Sequence, residues 1–237
     1  HLILPNANNS FFGPTDIKQG WITIQDPNAL GGPVIGVQEI QPTVTVDNEA
    51  ALHLKPFNPG TSMPFSPNLA LTGVGVQHPY EKLDFNGAIE NLAGINTLKS
   101  NIFLTGQVGI GVELVNPSVA SDLTLKGEQS GPQAQDGMIK LGSQRLNIEG
   151  PGTYFGGLEI REGVVRALNN TSLGTDRSTV TTTVQAGAAL ELAPQASELN
   201  GGLDSGISVW NNHLVLNGTG NSEFGDAALV VLSEDVL

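Results

Sequence analysis

Apolar residues along this chain come in pairs and triplets, usually apolar, polar, apolar, broken every few positions by Gly, Asn, Asp, Thr or Pro. The rhythm runs through Leu2 to Leu4, Trp21 to Ile24, Thr43 to Val46, Leu52 to Leu54, Leu69 to Leu71, Leu83 to Phe85, Ile102 to Leu104 and Ile110 to Leu114. It continues through Leu123 to Leu125, Ile139 to Leu141, Leu146 to Ile148, Leu158 to Ile160, Val164 to Leu168 and Val180 to Val184. Leu190 to Leu192, Ile207 to Val209, Leu214 to Leu216 and Leu229 to Leu232 close the series. In extended chain this alternation sends two side chains to one face and one to the other. Strands so short do not hold a sheet singly. Stacked in register along a coil, each is hydrogen-bonded above and below at roughly 4.8 Å per coil. The pattern therefore predicts an all-β fold, a parallel β-helix or β-solenoid with short strands, Gly/Asn turns and few or no helices. One span, Ala88 to Lys99, has Ile89, Leu92, Ile95 and Lys99 at helical spacing, but Gly94 interrupts it and Asn96-Thr97 weakens it.

The chain also repeats itself. Phe12-Gly13, Gly20-Trp21, Leu30-Gly31 and Ala50-Ala51-Leu52-His53-Leu54 recur in order as Phe155-Gly156, Gly163-Val164, Leu173-Gly174 and Ala188-Ala189-Leu190-Glu191-Leu192. The offset from Phe12 to Phe155 is 143 (155 minus 12), and extra residues around Gly32 to Gln41 shift the later landmarks. Small insertions at turns, with strict spacing between them, are what stacked coils tolerate. We read residues 1–237 as one continuous solenoid segment of about two long repeats, about 1–140 and 141–237, the second incomplete. Both ends fall inside the pattern, so a segment of a longer protein is expected. Gly13, Gly20, Gly31, Gly156, Gly163 and Gly174 are the expected corners. The expected inward frame is Ile148, Leu158, Ile160, Leu190 and Leu192, with Leu2, Leu4, Ile22, Ile24, Leu52 and Leu54 in the earlier copy.

Composition narrows the function classes. A formal charge of −13, from 23 acids against 10 bases, repels nucleic acid and anionic membranes. The complete lack of cysteine removes disulfide scaffolds, thiol nucleophiles, iron–sulfur clusters and Cys-ligated zinc. No apolar run reaches transmembrane length, so no membrane insertion by this segment is expected.

The stretch from Leu146 to Leu168, with Gly150, Thr153, Tyr154, Gly156, Gly157 and Gly163, resembles the autotransporter-associated β-strand repeat, also called the passenger-associated transport repeat. Asn169 to Gly174 and Ala186 to Leu192 are similar to the segments that follow in that family. The first copy departs from it, with Asn9-Ser10-Phe11-Phe12 at the aromatic turn and Pro14 at the second glycine, while residues 86–131 look like a long variant. The resemblance implies a right-handed parallel β-helix in a large secreted or surface protein of a Gram-negative-type bacterium. It implies no catalytic residues.

Parallel β-helices also serve as polysaccharide lyases and hydrolases, so clusters of carboxylates deserve a search. The local candidates are Asp47, Glu49 and His53 in one copy and Asp204, Asn211, Asn212 and His213 in the other. Repeat alignment matches His53 with Glu191 and Asp47 with Gln185, so both clusters read as solvated outward positions. Calcium would relieve self-repulsion along an acidic rod, yet no Asp-rich nonapeptide is present and Gly201-Gly202-Leu203-Asp204 is too short a match. Asn8, Asn169, Asn170 and Asn217 fit the glycan-acceptor pattern, as Asn/Thr-rich chains often do by chance. Trp21, Tyr154, Phe155 and Trp210 read as corner or core packing rather than a sugar platform. The expectation is thus a structural protein, not an enzyme, with no catalytic, cofactor-binding or metal site: an extracellular fibre, stalk or adhesive spacer. Its expected partners are neighbouring repeats or identical chains joined end to end, with surface polysaccharide as a further candidate. The alternatives are a carbohydrate-binding adhesin and a polysaccharide-degrading β-helix enzyme.

Overall fold

A computed structural model describes residues 1–6, 9, 11, 13–31, 42–58, 60–77, 87–175, 180–193, 207–209, 212–222 and 227–232. Among them there is no helix, and the strands assemble into three sheets. Sheet A holds β1 (Leu2–Leu4), β3 (Gly20–Ile24), β5 (Ala50–Leu54), β8 (Ile89–Asn91), β11 (Gln107–Val112), β14 (Gly137–Leu141), β16 (Leu158–Ile160), β18 (Thr181–Val184) and β20 (His213–Leu216), in that spatial order. Sheet B runs from β2 (Thr15–Ile17) through β4 (Thr43–Val46), β7 (Asn68–Thr72) and β10 (Ile102–Thr105) to β13 (Gln129–Ser130). Sheet C runs from β6 (Pro64–Phe65) through β9 (Gly94–Leu98), β12 (Ser121–Leu125), β15 (Arg145–Ile148), β17 (Val164–Ala167) and β19 (Ala189–Leu192) to β21 (Leu229–Val231). Every pairing between these strands is parallel. Successive strands of a sheet are separated by a whole turn of chain, which makes the fold a parallel β-helix.

The chain visits the sheets in the order B, A, C, and β7 to β15 complete that circuit three times. The sequence repeat lies one face out of phase with this circuit. Its first copy occupies sheets B and A through β2, β3, β4 and β5, whereas the equivalent β16, β17, β18 and β19 of the second copy occupy sheets A and C. The unit that recurs is a strand, a glycine corner and a second strand, and such a unit fits any two adjacent faces of a triangular coil. The expected boundary near residue 140 falls inside β14, which pairs with β11 on one side and β16 on the other.

Inward side chains stack in columns along the axis. On sheet C, Phe65, Leu98, Leu125, Ile148 and Ala167 are aligned by register and fully buried. Sheet B contributes Val44, Leu69 and Ile102, and sheet A contributes Leu52, Ile89 and Ile110, all at 0% exposure. Ile24, Leu54, Leu158, Ile160 and Leu190 are buried as the pattern predicts. Leu4, Ile22 and Leu192 are only partly buried against the core. Leu2 departs from the expected inward frame at 51% exposure, because β1 has β3 on one side only and its coil has no strand opposite among the described residues.

Four of the six expected corner glycines, Gly20, Gly31, Gly163 and Gly174, have positive φ. At Gly156 the requirement is different: a Cβ there would lie 2.6 Å from the Gln135 carbonyl carbon, so close approach of two coils excludes a side chain. The helically spaced span is strand, β8 and β9, with Gly94 at the corner between them at φ +84°. Ile207 to Val209 is described and is not strand, while Leu83 to Phe85 lies outside the described residues.

Candidate functional site

The outer face of sheet A carries the chemistry. Register aligns Ile3, Thr23, His53 and Glu90 as one outward column across β1, β3, β5 and β8. Outward side chains of a strand normally meet solvent, yet Thr23 is 4%, His53 3% and Glu90 0% exposed. The His53 imidazole stacks against the Trp21 indole at 5.8 Å between centroids and 20° between planes. The His1 ring also contacts the indole, at 4.9 Å between centroids and 32° between planes, with His1 Nε2 3.0 Å from the Thr23 hydroxyl in a hydrogen bond. Burial pushes the His53 pKa down from 6.5 to about 4, so the ring is neutral at pH 7. Between these rings and the A-to-C corner opens a cleft of about 280 Å³, bounded there by Leu92 and Val115 and reached by Gln25 and Lys55.

Farther along the sheet four ionisable groups, Glu90, Glu113, Lys140 and Glu162, act on one another, with Glu90 and Lys140 fully buried and Glu162 exposed. The Gly87 backbone covers the Glu90 carboxylate, with Oε2 2.9 Å from where a Cβ on Gly87 would stand. Neither Glu90 oxygen has a hydrogen-bond partner among the described residues. Desolvation, reinforced by the charges of Glu113 and Glu162, raises its pKa well above the ordinary carboxylate value, and Lys140 opposes the shift. Burial likewise raises Glu113. Lys140 is fully buried, and its Nζ donates to the carbonyls of Leu141 (2.6 Å), Gly142 (2.6 Å) and Glu162 (3.2 Å). Desolvation draws its pKa down to about 7 against the pull of the neighbouring glutamates.

Sequence reasoning missed this group for a definite reason. In Ile139-Lys140-Leu141 the apolar residues should face inward and Lys140 outward. The register instead aligns Lys140 with the core residues Ile110 and Ile160. Ile139 and Leu141 take the outer face, where they are 4% and 8% exposed. There Val74 and Leu141 crowd onto Gly109: Val74 Cα and Leu141 Cδ1 each lie 3.0 Å from the place of its missing Cβ. The covered outer face inverts the pattern, and the lysine curls its amine to the corner carbonyls.

The residues singled out from sequence separate in space. Asp47 and Glu49 sit at the turn before β5, Glu49 with φ +63°, and His53 stands near the far end of that strand. His53 is buried rather than solvated. Its repeat equivalent Glu191 is also outward and only 3% exposed, held by Arg166 at 2.6 Å and Arg145 at 3.4 Å. Repeat alignment identified both as outward but gave no sign that each is covered by its own partners. In the other cluster, Asn212 donates to the Leu173 carbonyl at 3.0 Å and His213 is exposed, while Asp204 and Asn211 lie outside the described residues. No three His, Asp or Glu side chains converge as a metal-binding set among the described residues. Asn169 accepts from the Thr171 amide at 3.0 Å and Asn170 from the Ser208 amide at 2.8 Å, whereas Asn8 lies outside the described residues. Tyr154 is fully buried and donates to the Ser172 carbonyl at 2.9 Å, a core and corner role. Trp21 lines the outer cleft instead, and Trp210 lies outside the described residues.

Comparison with family models, with curated proteins and with solved structures finds no match.

Proposed function

We propose that this chain is a structural segment of an extended extracellular β-solenoid, working as a fibre, stalk or adhesive spacer rather than as an enzyme. The observation that carries the reading is the nine-stranded parallel sheet A, running unbroken from β1 to β20 with its side-chain columns in register. Such a ladder resists axial deformation because stretching it strains backbone hydrogen bonds on every coil together. The resemblance of residues 146–192 to the autotransporter-associated repeat supports a surface location and export from a Gram-negative-type bacterium. The net charge of −13 supports a surface that limits nonspecific adhesion.

Partners in this reading are further coils, from neighbouring repeats or identical chains. The outermost described strands carry exposed apolar side chains, Leu2 at 51% on β1 and Val231 at 69% on β21, which suits the stacking of another coil. Head-to-tail stacking does not close on itself and propagates as a filament. Leu4→Pro and Val231→Asp are expected to shorten assemblies in electron micrographs while leaving the circular dichroism of the central coils intact. Unchanged length distributions in both variants would remove end-to-end joining from the account.

A further inference from the structure

We propose that the cleft on the outer face of sheet A binds one carboxylated sugar residue, a uronic acid or other acidic unit of a saccharide chain. Charge is the first argument. The chain has 23 acids against 10 bases, yet no Asp or Glu is among the described residues lining this cleft, and Lys55 places an ammonium at its edge. An anion is repelled over most of this surface and is accepted here.

The remaining lining divides as a pyranose divides. Ile3, Leu92 and Val115 offer apolar surface for ring C–H groups. The Gln25 amide donates and accepts, matching sugar hydroxyls, and the Thr23 hydroxyl, bonded to His1 Nε2, keeps acceptor capacity beside it. Trp21, in ring contact with His1 at 4.9 Å and His53 at 5.8 Å, is an aromatic wall with part of its freedom already lost before binding.

The arrangement is also preorganised. Ile3, Thr23 and His53 come from three successive coils whose spacing the backbone ladder fixes. A volume of about 280 Å³ suits a single ring, being at the lower end of small-molecule sites. The site is independent of the structural role proposed above: a stalk functions with or without it.

The test titrates the whole chain with oligosaccharides ending in galacturonate, glucuronate or sialate, and with their neutral counterparts, by calorimetry and ¹H–¹⁵N correlation spectra. Saturable binding of at least one acidic ligand is expected, on the order of tenfold tighter than its neutral counterpart, with shifts at the Trp21 indole and the Thr23 and Gln25 amides. Lys55→Gln, at an exposed position, is expected to erase that preference without changing the rest of the spectrum. Thr23→Val is expected to weaken acidic and neutral ligands alike. The proposal is overturned by absence of saturable binding to all three acids, by equal affinity for acidic and neutral forms, by shifts confined to residues that do not line the cleft, or by an unaltered preference in Lys55→Gln.

Discussion

Replacing His53 with Gln changes how the first coils answer to acid, and the structure fixes both the sign and the scale. Folded His53 takes up a proton only near pH 4, against about 6.5 for the free imidazole, because burial beside Trp21 desolvates it. Between those values the unfolded chain holds a proton that the folded chain does not. Stability from this group is therefore whole above pH 6.5 and lost as pH falls toward 4. At about 1.4 kcal/mol per pH unit, the loss is about 3 kcal/mol. Glu90, its in-register neighbour on β8, acts in the opposite direction. The folded carboxyl keeps its proton well above 4.5 while the unfolded one gives it up, so this group lowers stability as pH rises. The two slopes offset one another in the parent protein, and single substitutions separate them. Denaturant unfolding between pH 4 and 8, with amide exchange of β3 and β5 as a local readout, should show the His53→Gln curve gaining on the parent by about 3 kcal/mol toward pH 4. Glu90→Gln should gain on the parent as pH rises above 4.5. A His53 titration near 6.5, or a His53→Gln curve parallel to the parent between 6.5 and 4, would refute the argument.

Three further substitutions probe other parts of the coil. Lys140→Met removes a buried amine whose pKa falls from 10.5 to about 7, so its cost to the fold is full below pH 7 and fades toward 10.5; the variant's advantage over the parent in denaturant melts should shrink across that interval. Leu190→Ala, at 0% exposure in the sheet C column with Val165 and Leu229, should cost about 2–5 kcal/mol in the same assay. Tyr154→Phe strips the Ser172 carbonyl of its buried donor and should cost about 1–3 kcal/mol, seen as a lowered thermal midpoint.

The coil was legible in the sequence because its determinants are local. Triplets such as Leu123 to Leu125 and Leu158 to Ile160 alternate as strands do, and glycines such as Gly163 with φ +65° mark the corners between them. What local pattern does not contain is which two faces a strand–corner–strand unit will occupy, and so the repeat gave no hint of its one-face phase shift. It also does not reveal what crosses the outside of a sheet. His53, Glu90 and Glu191 are polar residues at outward positions, and the reading that such positions are wet fails at each. Gly87 lies over Glu90, the Trp21 indole stacks on His53, and two arginines hold Glu191. Lys140 is the sharpest case, since covering both faces of β14 removes the contrast on which a period-2 reading depends. The cleft was invisible for a related reason: its groups lie on separate coils, brought together only by register.

The central claim is that these coils belong to an extended stack, and electron microscopy of the native, unproteolysed material tests it most directly. Long uniform rods whose power spectrum shows an axial repeat near 4.8 Å are the expected result. Compact separate particles without that repeat would contradict the account.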